Sequence, residues 1–118
     1  MRKIEQQMMQ AIHERRDWRS DNTQVVCTVF SHGDLNIDRV HVQLHGSTIA
    51  IITDVCVDVC DYGWQTPTTK SRLNAILHEL CGTGTGIYQK NKRWYAHAEG
   101  EQDWEIKPNS RHLFYRGE

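Results

Sequence analysis

Residues 38–45 alternate without a break: Val40, Val42 and Leu44 are apolar, and Arg39, His41, Gln43 and His45 between them are polar. Side chains on a strand point to opposite faces in turn, so this stretch demands a sheet with one face on a core and the other in water. A half-solvated sheet suits antiparallel pairing, because parallel sheets are normally covered on both faces. Neighbouring segments extend the sheet. Residues 23–30 are rich in β-branched side chains, follow the turn residues Ser20, Asp21 and Asn22, and stop at Ser31-His32-Gly33-Asp34. Gly46 and Ser47 form a two-residue hairpin candidate leading into a strand over 48–52. Residues 55–60 continue the alternation, either as a strand of their own or as the same strand bent at Thr53 and Asp54.

Two segments carry the helical period instead. In residues 4–18, Ile4, Met8, Ala11 and Ile12 recur at helical spacing, with Glu5, Gln6, Gln10, Glu14 and Arg16 on the other face. In residues 67–80 the stripe is Leu73, Ile76, Leu77 and Leu80. Thr66 suits the N-cap there, Pro67 the first helical position, and Gly82 the left-handed cap. After a Thr-Gly connector, residues 87–90 and 93–98 flank a tight turn at Asn91 and Lys92, and 103–106 is a short last strand. Residues 107–118 read as a loosely packed tail, anchored by Leu113, Phe114 and Tyr115. The order is αβββ(β)αββ(β). It predicts an α+β fold, a mostly antiparallel sheet of five to seven strands with two helices, in a single domain over 1–118.

Composition removes several classes of function. Lys and Arg total 14 against 15 for Asp and Glu, giving a net charge of -1 and no global field that draws in nucleic acid or membrane. No apolar run is long enough to span a bilayer, and the first residues lack the apolar region of a secretory signal. A cytosolic protein is expected. Cys27, Cys56, Cys60 and Cys81 each sit in apolar surroundings without framework spacing, and read as small buried hydrophobes.

Catalytic motifs fail on chemistry. The string 63–71 ends in Lys-Ser like a phosphate-binding loop, but Thr69 stands where a glycine must let the backbone wrap the phosphates, and Pro67 removes an N–H. Gly82-Thr83-Gly84-Thr85-Gly86 follows a helix and precedes a strand, the reverse of a dinucleotide-binding turn. Cys56 and Cys60, like His41 and His45, are separated by about 13 Å along a strand, too far to share a metal. Cys81 lies at a helix C-terminus, where the dipole disfavours a thiolate. His13, His32, His78, His97 and His112 read as surface or hydrogen-bonded imidazoles. No catalytic residue, metal or cofactor is expected, and a small hydrolase is the weaker alternative.

What survives is the helix start. Lys70 and Arg72 occupy the first two turns with no acid among them, the end where cations are least favourable. Either they are paired internally, with Asp58 or Asp61 on Arg72, or they serve an external anion. In the second case Thr68, Thr69 and Ser71 hydroxyls, free N–H groups, Lys70 and Arg72 meet a phosphate. A second cluster, Tyr88, Lys90, Lys92, Arg93, Trp94 and Tyr95, combines cations and stacking surface on one hairpin, as single-stranded nucleic acid prefers. Alternation sends Trp94 and Tyr95 to opposite faces, so one of them belongs to the core.

The segments 44–50, 63–77, 86–90 and Trp94-Tyr95, with Gly-Trp-Gln-Thr-Pro-Thr-Thr-Lys-Ser-Arg-Leu-Asn as their centre, resemble small proteins of T7-like tailed phages, marine ones especially. The resemblance covers about half of the chain and leaves out Cys56, Cys60 and everything after Trp104. It brings no activity. It implies a phage-encoded protein in the cytoplasm of an infected bacterial host. Two functions follow as expectations. The first is a non-enzymatic protein that binds and modulates a host or phage protein, in host takeover or counter-defence. The second is an accessory DNA- or RNA-binding module using Lys70, Arg72 and hairpin 88–95. The net charge favours the first.

Overall fold

The structure is a computed structural model that describes residues 1–117. The chain runs α1 (Lys3–Glu14), β1 (Trp18–Ser20), β2 (Thr23–His32), β3 (Leu35–Leu44), β4 (Ser47–Ile52), β5 (Cys56–Cys60), α2 (Pro67–Cys81), β6 (Gly86–Lys90), β7 (Arg93–His97), β8 (Trp104–Ile106) and β9 (Arg111–Tyr115). Every strand pairing is antiparallel. The α+β class stands as expected. The strands form two sheets, however, β1-β2-β3-β4-β5-β9 and β6-β7-β8, and number nine among the described residues where five to seven were expected.

The differences have local causes. The first helix stops at Glu14 because Arg15 takes the left-handed conformation (φ 51°), and Trp18–Ser20 then pairs with Thr23, Gln24 and Val25. Thr53 and Asp54 separate β4 from β5, which settles the choice left open at that point. The β3–β4 turn is His45-Gly46, both at positive φ, one residue earlier than Gly46-Ser47. The segment expected as a loose tail contains β9, in register with β5 from Cys56–Tyr115 to Cys60–Arg111, and it buries Phe114. Short edge strands of this kind carry too few residues for their period to show.

Both helices pack on the face of the larger sheet that carries Val25, Val42, Ala50, Val57 and Val59. The smaller sheet joins the same core through Ile87, Trp94, Ala96 and Ile106. It is fastened to α2 by Asn74, whose amide donates to the Ile87 carbonyl at 2.8 Å and accepts from the Ile87 N–H at 2.7 Å. Beside that clamp Gly86 has no room for a side chain: a Cβ would lie 2.7 Å from His78 Nε2.

The start of α2 is built as its sequence requires. Thr66 is extended (φ -105°, ψ 161°) and its hydroxyl accepts from the Thr69 N–H at 3.2 Å, with Pro67 in the first helical position. Thr66→Ala is expected to cost about 1 kcal/mol, the usual value of a lost N-cap, read by urea unfolding.

Candidate functional site

The turn before α2 is held by a buried carboxylate. Asp61 Oδ1 accepts from the Gly63 N–H at 2.8 Å and from the Asn109 N–H at 2.7 Å, and Oδ2 accepts from Gln65 Nε2 at 3.1 Å. Tyr62 (φ 53°) and Gly63 (φ 84°) are both left-handed, and the Trp64 N–H closes the turn on the Asp61 carbonyl at 2.9 Å. Two consecutive positive φ values reverse the chain in the tightest way available. Here the reversal throws Trp64 outward, and it remains 66% exposed.

Trp64 stands over a groove of about 660 Å³ between this turn and the β3–β4 hairpin. Leu44 and Ile49 contribute apolar walls, His45 and Ser47 one polar rim, and Thr66, Thr68 and Thr69 the other. Ile49 reaches the interior because of a β-bulge: Val42 faces Ala50 but Gln43 faces Thr48, so Ile49 and Ala50 are both buried.

The eleven residues singled out in the sequence separate in space. Thr68 lines the groove, and Thr69 does so while fully buried, with its hydroxyl 3.0 Å from that of Thr66. Lys70 is half-buried and has no ion pair among the described residues. Ser71 and Arg72 turn inward instead. The Arg72 guanidinium, 4% exposed, donates from Nη1 to Glu5 Oε2 at 2.7 Å and from Nε to Thr23 Oγ1 at 3.0 Å, while the Ser71 hydroxyl donates to the same Glu5 oxygen at 2.6 Å.

Arg72 is therefore internally paired and unavailable to an external anion. The partner is neither Asp58, which pairs with Arg111 at 3.0 Å, nor Asp61, but Glu5 of α1. Burial pushes Glu5 up, and the hydrogen bonds from Ser71, Arg72 and the Arg2 N–H outweigh it, holding the carboxyl below its ordinary value. Glu5 supplies to α2 the acid that its own first turn lacks. The signal for it was present: Glu5, Met8, Met9 and Ile12 form one stripe at i, i+3, i+4, i+7, and all four are buried.

The hairpin divides in the same way. Trp94 is 3% exposed and lies in the core, so it offers no stacking surface. Tyr88 stacks on Tyr95 with ring centroids 5.6 Å apart. Its hydroxyl donates to Asp103 Oδ2 at 2.5 Å, and His97 Nδ1 lies 2.5 Å from Asp103 Oδ1. The hydrogen bonds from Tyr88 and then His97 hold Asp103 below its ordinary value, keeping a negative charge beside the aromatic pair. Lys90, Lys92 and Arg93 are exposed, and Arg93 approaches Glu105 at 3.9 Å. Of the hairpin's cations, Arg93 lies near an acid, while Lys90 and Lys92 stand exposed at the tip without an ion pair among the described residues.

Fold and groove define a small α+β protein that presents a pocket and an exposed tryptophan at a helix start. No group of three or more His, Cys, Asp or Glu side chains suited to a metal ion occurs among the described residues, and no helix there is long and apolar enough to cross a membrane. The chain belongs to the Kyanoviridae Gp96 protein family, whose model matches residues 1–117. The resemblance to T7-like phage proteins accordingly holds at the level of a small phage protein. Neither the curated proteins nor the solved structures contain a match to it.

Proposed function

We propose that this chain is a non-enzymatic phage protein that binds and modulates a host or phage protein in the cytoplasm of the infected bacterium, in host takeover or counter-defence. The observation that supports this reading is Trp64, largely exposed on a turn pinned by Asp61 and set beside an apolar groove. Tryptophan is among the residues enriched at binding hot spots, since its large ring becomes buried on the partner. A turn already held by three hydrogen bonds loses little conformational freedom on binding.

The nucleic-acid reading has lost two of its main contributors, because Arg72 is neutralised by Glu5 and Trp94 is in the core. Lys70, Lys90, Lys92 and Arg93 are the cations left to it.

The test immobilises the protein in lysate of phage-infected cells and compares wild type with Trp64→Ala. A retained protein that is lost in the variant is expected, while unfolding free energies stay within about 0.5 kcal/mol, as for an exposed site. Recovery that is identical for both proteins sinks the proposal. In parallel, labelled DNA and RNA are titrated across a salt series. Binding that weakens steeply with salt and disappears with Lys70→Ala and Lys90→Ala would establish the nucleic-acid module instead.

A further inference from the structure

The β2–β3 ribbon extends beyond the rest of its sheet. β1 pairs with β2 only at Thr23, Gln24 and Val25, and β4 pairs with β3 only from Val40 onward. The outer part of the ribbon therefore has two free edges, and its Val29, Phe30 and Leu35 are exposed. The β2 edge can be read residue by residue. The Cys27 N–H donates to Asp17 Oδ1 at 2.8 Å, so it points away from β3. Backbone groups alternate in direction along a strand, so Val29 and Ser31 also aim their N–H and C=O groups outward. None of these has a partner among the described residues.

Exposed edges are usually guarded by charge. The β3 edge follows that rule: Asp38 and Arg39 lie on it, and Asp38 is ion-paired with Arg15, which also holds Asp54. The β2 edge is guarded only at Cys27, by the Asp17 carboxylate. Beyond it Thr28, Val29, Phe30 and Ser31 carry no charge of their own.

We propose that β2 pairs antiparallel with β2 of a second copy of this chain, about a two-fold axis at Phe30. The free groups select that register. An axis at Val29 needs the Cys27 N–H, already held by Asp17, and an axis at Ser31 needs Gly33, which sits in the turn at φ 60°. With the axis at Phe30, Val29 of each copy faces Ser31 of the other, and all their outward N–H and C=O groups are satisfied. Phe30 meets Phe30 of the second copy at a non-hydrogen-bonded position, where cross-strand side chains come closest. Arg39, whose guanidinium lies 4.6 Å from the Phe30 ring centre, flanks that aromatic pair. Because the same patch serves both copies, the contact closes on itself as a dimer.

Light scattering on size-separated protein over a concentration series tests this. Wild type is expected as a dimer. Phe30→Lys and Phe30→Glu are each expected as monomers, through like charge on the axis, and an equal mixture of the two is expected to recover the dimer. Val29→Pro is expected to be monomeric and folded, since the N–H it removes points away from β3 and takes no part in the β2–β3 ladder. Far-ultraviolet circular dichroism checks the fold of each variant, and Val29→Pro decides the matter if the Phe30 variants misfold. A wild-type mass that stays monomeric at every concentration overturns the proposal. So does a dimer that persists in Val29→Pro, a mixture that stays monomeric, or open-ended growth of the wild type. Trp64→Ala is expected to leave the dimer intact, which keeps this contact separate from the groove.

Discussion

Replacing Arg72 with alanine is expected to lower the unfolding free energy by about 3–5 kcal/mol, the usual cost of leaving one member of a buried ion pair unpartnered. The size follows from what remains. Glu5 is 3% exposed, and in the variant it would keep only the Ser71 hydroxyl and a 3.4 Å contact from the Arg2 N–H. The double change Glu5→Leu with Arg72→Met is expected to recover most of the loss, because an apolar pair needs no compensation in the core. Urea denaturation of the two single variants and the double variant measures the coupling. Losses in the double variant that equal the sum of the singles would mean that the pair contributes nothing as a pair.

The same pair predicts a pH dependence. The Glu5 carboxyl lies below its ordinary value of 4.5 in the folded protein, so folding favours its ionised form. Its stabilising contribution is complete above 4.5 and is lost as the pH falls through the lower folded value. Glu5→Gln is expected to flatten the acid limb of the stability profile. An unchanged limb would place the acid sensitivity elsewhere.

Trp94→Ala is expected to cost about 3–5 kcal/mol, the range for truncating a large buried aromatic. Trp94 lies opposite Gln89 on β6 and Ile106 on β8, inside the core shared by the two sheets. Lys90→Ala, four residues away on the exposed tip, is expected within about 0.5 kcal/mol of wild type. The comparison, by denaturant unfolding, distinguishes a tryptophan that supports the fold from one that stacks on a ligand. A Trp94→Ala protein as stable as Lys90→Ala would contradict its place in the core.

Local chemistry made α2 readable in advance: Thr66 and Pro67 mark its start and need only their immediate neighbours to act, while Gly82 follows its end at φ 105°, ψ 154° rather than in the left-handed conformation expected of it. The alternation at Val40, Val42 and Leu44 gave the inner half of β3 for the same reason. Its outer half, Leu35, Asn36 and Ile37, was hidden because Ser31-His32-Gly33-Asp34 reads as a break in the run, although only Gly33 and Asp34 turn. The partner of Arg72 lay out of reach of any local rule, since Glu5 is brought there by the packing of α1 on α2. Trp64 lies in the Gly-Trp-Gln-Thr string that leads into α2, but its outward direction depends on the left-handed backbone at Tyr62, a residue type that seldom adopts it. The groove beside it depends on the bulge that turns Ile49 inward, and a single insertion in register leaves no mark on composition.

The Asn74 clamp has a consequence for how the molecule behaves among its own copies. By giving one donor and one acceptor to Ile87, its side chain does for β6 what a neighbouring strand would do, and so it acts as a terminator on that border of the smaller sheet. Aspartate in its place would keep the acceptor and lose the donor, leaving the Ile87 carbonyl open to an incoming chain. One border is sealed by a helix residue while another, along β2, is left unsealed, and the protein is thereby given a direction in which it can join to itself.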